Sequence, residues 1–312
     1  MAFIAGFGAY LPSKIVTNPE LASLLGCTPE WIREASGIEE RRYASAEESV
    51  EVLAANAGAN CLEQTGISPD QIDMLIVSSG SGEFRFPGPA SAVAKRLQLR
   101  DVPAIDLPMA SAGALFGMSL AAQLTSRYER ILVIAAEKMS TVVTQPPIDK
   151  NTAILFGDGA GGCLIQRDHG SLKIIDSVLH CDGSFSADLR LGSGEPLHMN
   201  GRSVIMQAVR KIPAVILEVL ERNDKAASDI ECFIMHQANQ NLMDRVARSL
   251  DVSTDKIYSN IQRYGNTSSA SILIAAAEWW RDRKLAARGA ICFAVFGAGF
   301  SWGALLAEAA LS

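Results

Sequence analysis

Pro103 to Gly113 reads P-A-I-D-L-P-M-A-S-A-G, and the rest of the chain is arranged around this stretch. An apolar run with a turn residue leads into Ser111. The segment that follows, A-G-A-L-F-G-M-S-L-A-A-Q-L from Ala112 to Leu124, is small and apolar and reads as a buried helix. Ser111 therefore stands where a strand hands over to a helix. Backbone N–H groups at a helix N-terminus point at whatever lies there, and the helix dipole favours negative charge at that point. A nucleophile that forms an oxyanion would be placed in such a spot. A serine that merely caps a helix occupies the same kind of spot, and this stretch alone leaves both readings open.

Upstream, Phe3–Tyr10 reads as a strand ended by Leu11-Pro12. Asn18-Pro19-Glu20 opens a short helix with Asn18 as its cap. In T-P-E-W-I-R-E-A-S-G-I-E-E-R-R, Thr28 to Arg42, Thr28 caps, Pro29 takes the first turn and Gly37 stops the helix. Ser49–Thr65 is a helix, Met74–Ser78 a strand, Pro87–Leu97 a helix and Ala104–Leu107 a strand. Downstream, the buried helix runs to near Tyr128 and Ile131–Ala136 is a buried strand. Ala153–Phe156, a turn at Gly157–Gly162 and Cys163–Gln166 close the first half. The second half repeats the rhythm: strand Leu172–His180, loop Asp182–Pro196, helix Arg202–Asn223, strand Cys232–Met235, helix Asn239–Leu250. Then come strand Ile257–Tyr258, helix Ser268–Arg283, strand Ala290–Val295, a glycine turn at Gly297–Gly303 and strand Ala304–Ala309. This alternation predicts an α/β class with a largely parallel sheet. A long helix followed by a buried strand in both halves suggests a duplicated unit, 1–168 and 169–312.

Composition narrows the function. The 312 residues are 48% hydrophobic and 20% charged, with net charge −6, which argues against nucleic acid as a partner. The acidic pI of about 5.4 points the same way. Six cysteines, at 27, 61, 163, 181, 232 and 292, show no C-x-x-C pair and no Cys/His metal spacing. They predict a reducing cytoplasm and no metal centre. The N-terminus lacks a basic leader region, and apolar runs such as Ala270–Ala277 are too short to span a bilayer, so no membrane is expected.

Four further stretches bear on chemistry. His236, in F-I-M-H-Q-A-N, stands at the C-terminal end of an apolar strand, where parallel sheets bind ligands. Taken alone, a histidine at a strand end is more often structural. Asn266, in Y-G-N-T-S-S-A-S, precedes a helix and could serve a site or cap that helix. Gly297–Gly303, G-A-G-F-S-W-G, is either a plain hairpin or a turn offering an N–H to an oxyanion. Gly157–Gly162, G-D-G-A-G-G, fits the dinucleotide fingerprint in spacing only. That motif needs a helix after it, whereas Cys163-Leu164-Ile165-Gln166 reads as strand.

Taken together, T-P-E-W-I, S-G-I-E-E-R, A-S-A-G, F-G-D-G-A-G, H-Q-A-N, Y-G-N-T-S-S-A-S and F-G-A-G-F-S-W-G run in an order and wording similar to the ketoacyl synthase III family of the thiolase superfamily. The resemblance spans Thr28 to Gly303. It implies the five-layered α-β-α-β-α thiolase fold of two similar halves, a homodimer, and an active site of cysteine, histidine and asparagine. Histidine and asparagine carry over to His236 and Asn266, and Ser111 stands at the cysteine. The first half would then hold the nucleophile and the second the histidine and asparagine. The implied reaction loads an acyl group from acyl-CoA on residue 111. A malonyl thioester on acyl carrier protein then loses carbon dioxide and attacks that group. His236 and Asn266 would stabilise the enolate, and the N–H groups of Ser111 and Ala298 the oxyanion. The resemblance also implies substrate and coenzyme A contacts at Trp31, Lys150, Gly201, Asn239, Phe86 and Phe296, with carrier docking at Arg245 and Arg248. No cofactor is implied beyond the coenzyme A thioester substrate.

Serine changes the chemistry. A helix N-terminus can ionise a thiol but not a hydroxyl, which needs a base within reach. Among the matching motifs His236 is the candidate base. The serine is either an engineered replacement or a natural variant. Three readings follow: a condensing enzyme, a serine-dependent acyltransferase to a hydroxyl, amine or carrier thiol, and a non-catalytic partner of an active ketosynthase. Ala35 and Asn241 stand where the family commonly has arginines, and Lys150 replaces another, losing the planar fork. These departures favour an unusual donor or carrier, as in secondary metabolism, over housekeeping fatty-acid synthesis.

Overall fold

The computed structural model describes residues 1–192, 194–282 and 289–310. Ten strands form its main sheet: β1 (Ala2–Tyr10), β2 (Met74–Ser78), β3 (Ala104–Leu107), β4 (Arg130–Lys138), β5 (Asp158–Arg167), β6 (Leu172–Cys181), β7 (Ile230–Met235), β8 (Ile257–Tyr258), β9 (Ala290–Gly297) and β10 (Ser301–Ala309). The larger helices are α1 (Asn18–Leu25), α2 (Pro29–Ser36), α3 (Val50–Thr65), α4 (Pro89–Arg96), α5 (Gly113–Leu124), α6 (Gly201–Glu221), α7 (Gln240–Ser249) and α8 (Ser271–Asp282). The expected helix end at Arg283 lies outside the described residues.

The strands lie in the order β8-β7-β9-β10-β6-β1-β5-β4-β2-β3. At the centre, β1 and β6 pair only at Phe3–Lys173 and Ile4–Leu172, so the sheet divides there into two five-stranded halves. Both halves share one order of strand, long helix, strand, helix, strand, central helix and two strands, and the first half inserts α1, α2 and a short strand pair, Lys14–Thr17 with Glu40–Tyr43, before its long helix.

Side-chain patterning explains the layers. β2 and β4 are apolar without alternation and are buried along nearly their whole length, as strands covered on both faces must be. On the outer side of the first half, Leu53, Ala57 and Cys61 of α3 and Val93 of α4 pack on Leu75, Leu132 and Leu164. Between the halves, α5 and α8 are apolar nearly all round. Leu115, Met118, Leu273 and Ile274 meet Ile76 and Val133 from one sheet and Phe293 and Leu305 from the other. Each such side chain contributes roughly 1.5–3 kcal/mol by leaving water. The outermost helices are amphipathic instead. In α7, Leu242, Met243, Val246 and Ala247 are buried while Arg245 and Arg248 face solvent. The result is α-β-α-β-α.

Three sequence expectations are corrected here. The sheet is mixed, not largely parallel: β2 runs parallel to β3 and β4, and β7 to β8 and β9, but β5 and β10 are antiparallel to both their neighbours. The chain passes from β4 to β5, and from β9 to β10, without a helix crossing the sheet, so its direction reverses. Second, G-D-G-A-G-G is not a turn but largely the body of β5, and Lys150–Ala153 before it is helical. Its glycines admit helices on both faces. A Cβ on Gly161 would stand 2.5 Å from Leu273 Cβ of α8, and one on Gly162 would stand 3.2 Å from the Ala57 carbonyl oxygen of α3. Third, α1 is capped by Thr17, not Asn18. The Thr17 N–H and hydroxyl both donate to Glu20, each at 2.8 Å. Asn18 turns inward, where its Oδ1 accepts from buried Arg41 at 2.7 Å.

Candidate active site

Ser111 does not cap α5. The helix starts at Gly113 after an Ala112 cap, and Ser111 sits before it with φ +62°, in the left-handed region. A non-glycine residue there costs on the order of 1–3 kcal/mol and persists only where its surroundings over-determine it. Those surroundings are tight. A Cβ on Gly297, the last residue of β9, would meet the Ala110 carbonyl oxygen at 2.5 Å and Ser111 Cβ at 2.9 Å. Ala298 and the turn into β10 thus begin directly against Ser111. The Ser111 N–H donates to Ser268 Oγ at 3.1 Å.

His236 follows the last residue of β7, and its N–H donates to the Ala294 carbonyl of β9 at 2.9 Å. Its Nδ1 lies 2.6 Å from Ser271 Oγ. That hydroxyl also accepts from the Gln237 N–H at 3.1 Å, and it can give its own proton to Nδ1, which places the imidazole hydrogen on Nε2. Burial pushes the His236 pKa down to about 4, which keeps the ring neutral at pH 7. A neutral ring protonated on Nε2 donates there. In that tautomer it accepts no proton from a serine, whereas with its hydrogen on Nδ1 the Nε2 atom is the acceptor.

Asn266 is fixed at both backbone ends. Its N–H donates to the Leu155 carbonyl at 2.8 Å, and its carbonyl accepts from the Gly157 N–H at 3.1 Å. The Oδ1 atom accepts from the Ser268 N–H at 2.9 Å, which leaves the Nδ2 amide as its donor end. The run Asn266–Ser271 therefore carries Asn266 itself, binds the Ser111 N–H through Ser268, and binds His236 through Ser271. Ser111, His236 and Asn266 are each buried to 7% exposure or less.

The other sequence-predicted residues fall in five places. Lys150 Nζ lies 5.5 Å from the centre of the half-buried Trp31 ring. Asn239 caps α7 and gives its Nδ2 to the Ala35 carbonyl of α2 at 2.8 Å, and Asn241 Nδ2 reaches the Glu34 carbonyl at 2.9 Å. Ala35 and Asn241, apart in sequence, thus form one junction between α2 and α7. Gly201 is the first residue of α6, with open space around it, and Phe296 is buried against Phe300 with ring centres 4.8 Å apart. Phe86 lies in the exposed loop between β2 and α4, on a cleft of about 1040 Å³ also lined by Ser79, Phe84, Thr141 and Gln145. Among the described residues, no three His, Cys, Asp or Glu side chains gather as metal ligands. No helix there is long and apolar enough to cross a membrane.

Ser268, Ser271, Gln237 and Glu137 are the polar residues sequence reading passed over. The serines are visible in G-N-T-S-S-A-S but read as a helix start. Glu137, a carboxylate closing an apolar strand, is the signal that reading neglected.

Two family descriptions match the chain: 3-oxoacyl-[acyl-carrier-protein] synthase III over residues 105–183, and its C-terminal part over residues 220–309. A beta-ketoacyl-[acyl-carrier-protein] synthase III of Listeria monocytogenes is 37% identical over 310 residues, covering 98% of each chain. The crystal structure of a 3-oxoacyl-[acyl-carrier-protein] synthase III from Aquifex aeolicus superposes with a TM-score of 0.94 at 33% identity, covering 99% of this chain and 100% of that one. The priming beta-ketosynthase of the R1128 polyketide biosynthetic pathway gives 0.92 at 29% identity, over 99% and 96%.

Proposed function

The chain belongs to the 3-oxoacyl-[acyl-carrier-protein] synthase III family of condensing ketosynthases, and from that premise we propose that it loads an acyl group on Ser111 and condenses it with a malonyl thioester. The Ser111 oxygen bonds to the acyl carbonyl of acyl-CoA, the C–S bond breaks, and coenzyme A leaves as its thiol with the hydroxyl proton. The malonyl thioester then loses carbon dioxide. Its enolate carbon bonds to the acyl carbon, and the Ser111 oxygen leaves and regains a proton. The observation that carries this reading is one short run of chain that turns the Asn266 amide to donate and holds the neutral His236 ring at Nδ1, where a proton from Ser271 makes Nε2 the second donor. Neutral donors suit an enolate oxygen that appears only as reaction proceeds. The oxyanion of the loading step would draw on the N–H groups of Ser111, shared with Ser268 Oγ, and Ala298.

Several further assignments belong to this reading. Trp31 and Lys150 would take the nucleotide of coenzyme A, with Gly201, Asn239 and Phe296 along the substrate path. Arg245 and Arg248 would meet an acidic carrier protein. The halves 1–168 and 169–312 would act as nucleophile lobe and enolate lobe of a cytoplasmic homodimer. Support for a second copy comes from β3, an edge strand with Ala104, Ile105 and Asp106 all exposed, beside Phe86 at 86% exposure. No metal or resident cofactor enters the proposed steps. The test is carbon dioxide release from malonyl thioester. His236→Ala and Asn266→Ala should each lose about 100-fold or more, and unchanged release in both would remove the reading.

One observation favours a second reading. With its hydrogen on Nε2, His236 gives Ser111 no imidazole base, and an ester on Ser111 is a poorer electrophile for condensation than a thioester. Acyl transfer from Ser111 to a hydroxyl, amine or carrier thiol would then outlast condensation. Intact-protein mass spectrometry with acyl-CoA donors, followed by chase with each acceptor class, separates the two.

A further inference from the structure

Behind Ser111 and Asn266 lies a carboxylate that the proposed steps do not use. Glu137, in β4, is fully buried, and among the described residues no cation pairs with it. The adjacent Lys138 sends its ammonium to the Ser45 carbonyl at 2.6 Å, and Asp158 on β5 is taken by Ser140 and the Ala44 N–H. Neutral donors alone satisfy Glu137, and its two oxygens divide them by origin. Oε1 accepts from the Ser269 hydroxyl at 2.6 Å and the Ser269 N–H at 3.3 Å, both in the Asn266–Ser271 run of the second half. Oε2 accepts from the Ser81 hydroxyl at 2.6 Å, the Gly80 N–H at 3.0 Å and the Ser79 hydroxyl at 3.4 Å, all in the loop after β2 that lines the cleft. Ser268, beside Ser269 in the same run, receives the Ser111 N–H on its hydroxyl oxygen.

We infer that Glu137 is a positioning residue: it staples the turn that carries Asn266 and supports Ser111 to the cleft-lining loop, and it acts on Ser111 through the run that holds Ser268 beside Ser269. The inference rests on the proposed reaction for its consequence in turnover, but the staple itself is a statement about two loops. The physical basis is donor counting. Each oxygen faces a backbone N–H, Ser269 at Oε1 and Gly80 at Oε2, which can only donate, so an acceptor is required at both. Glutamine has the same shape but puts an NH₂ against one set of donors whichever way it turns. Aspartate keeps the acceptors and shortens the reach.

The test uses the full chain and the variants Glu137→Gln, Glu137→Asp and Ser268→Ala. In Glu137→Gln, amide exchange at Gly80, Ser111 and Ser269 should quicken together by tenfold or more. Turnover should fall 10- to 100-fold in kcat, the range for supporting hydrogen-bond partners, with KM for acyl-CoA within threefold. Glu137→Asp should restore part of kcat. Combined with Ser268→Ala, the Glu137→Gln loss should be less than the product of the two. Exchange unchanged at either loop, kcat within twofold of wild type, or fully multiplicative losses overturn the assignment. A wild-type protein without turnover counts against the proposed reaction alone, and the exchange measurement then decides the staple. Should Glu137→Gln not fold, Ser269→Ala and Ser81→Ala remove one donor from each oxygen and face the same criteria.

Discussion

The two central helices occupy matching places in the two halves, yet their approaches differ. α5 is reached through Ser111 at φ +62° and α8 through Ser268 at φ +47°, both left-handed and neither glycine. The first serine is oriented so that its N–H gives a hydrogen bond, the second so that its hydroxyl receives it. One strained backbone solution has been turned to two ends. Before α5 it presents a side chain, and before α8 it builds a support reaching back across the seam. The same position in a repeated fold thus does not carry the same task; the partners around it decide.

The sharpest way to break this contrast is at Ser111. With Ser111→Cys, a thiol needs no base, and acyl loading should rise at least 100-fold, the lower range of what a missing proton acceptor costs. Loading rates from quenched-flow mass spectrometry give the number, and equal rates would show that Ser111 has a base after all. On the α8 side, Ser271→Ala should release the His236 tautomer and cost decarboxylation roughly 10- to 100-fold. Loading should change little, so comparing the two assays in one variant locates the effect.

Next in size is an effect of pH. His236 has a folded pKa of about 4 against an ordinary 6.5, so the unfolded chain binds the extra proton between those values. Stability from keeping the ring neutral is whole above pH 6.5 and is lost as pH falls toward 4. Between pH 7.5 and 5 the wild type should therefore lose about 2 kcal/mol more than His236→Asn in urea unfolding. Decarboxylation should show no inflection near 6.5. Gly161→Ala should cost about 1–3 kcal/mol through overpacking on α8, read as a lower melting temperature. The smallest effect belongs to Asn241→Arg, which removes exposed hydrogen bonds to α2 and should change stability by less than about 1 kcal/mol, while altering KM for the carrier.

Much of the fold was legible in the sequence because its signals are local. Unbroken apolar runs mark β2 and β4, the small-residue run marks α5, and Thr28, Pro29 and Gly37 punctuate α2 as their chemistry requires. Misreadings arose where tertiary contacts overrode local preference. Glycines 159, 161 and 162 resemble a turn until two helices are seen pressing on the strand. Asn18 resembles a cap until Arg41 claims it. The supporting residues were illegible for a related reason. Glu137 and Ser269 are separated by 132 positions, and no spacing rule reaches that far.

The glycine strand β5 has a consequence beyond packing. Because Gly161 sets how close α8 can lie, and α8 begins with the serine bonded to His236, a missing methyl group in the sheet acts as a depth gauge for the seat of that histidine. Protein engineers who reshape the surroundings of His236 will find the gauge still set from behind, in the glycines of β5.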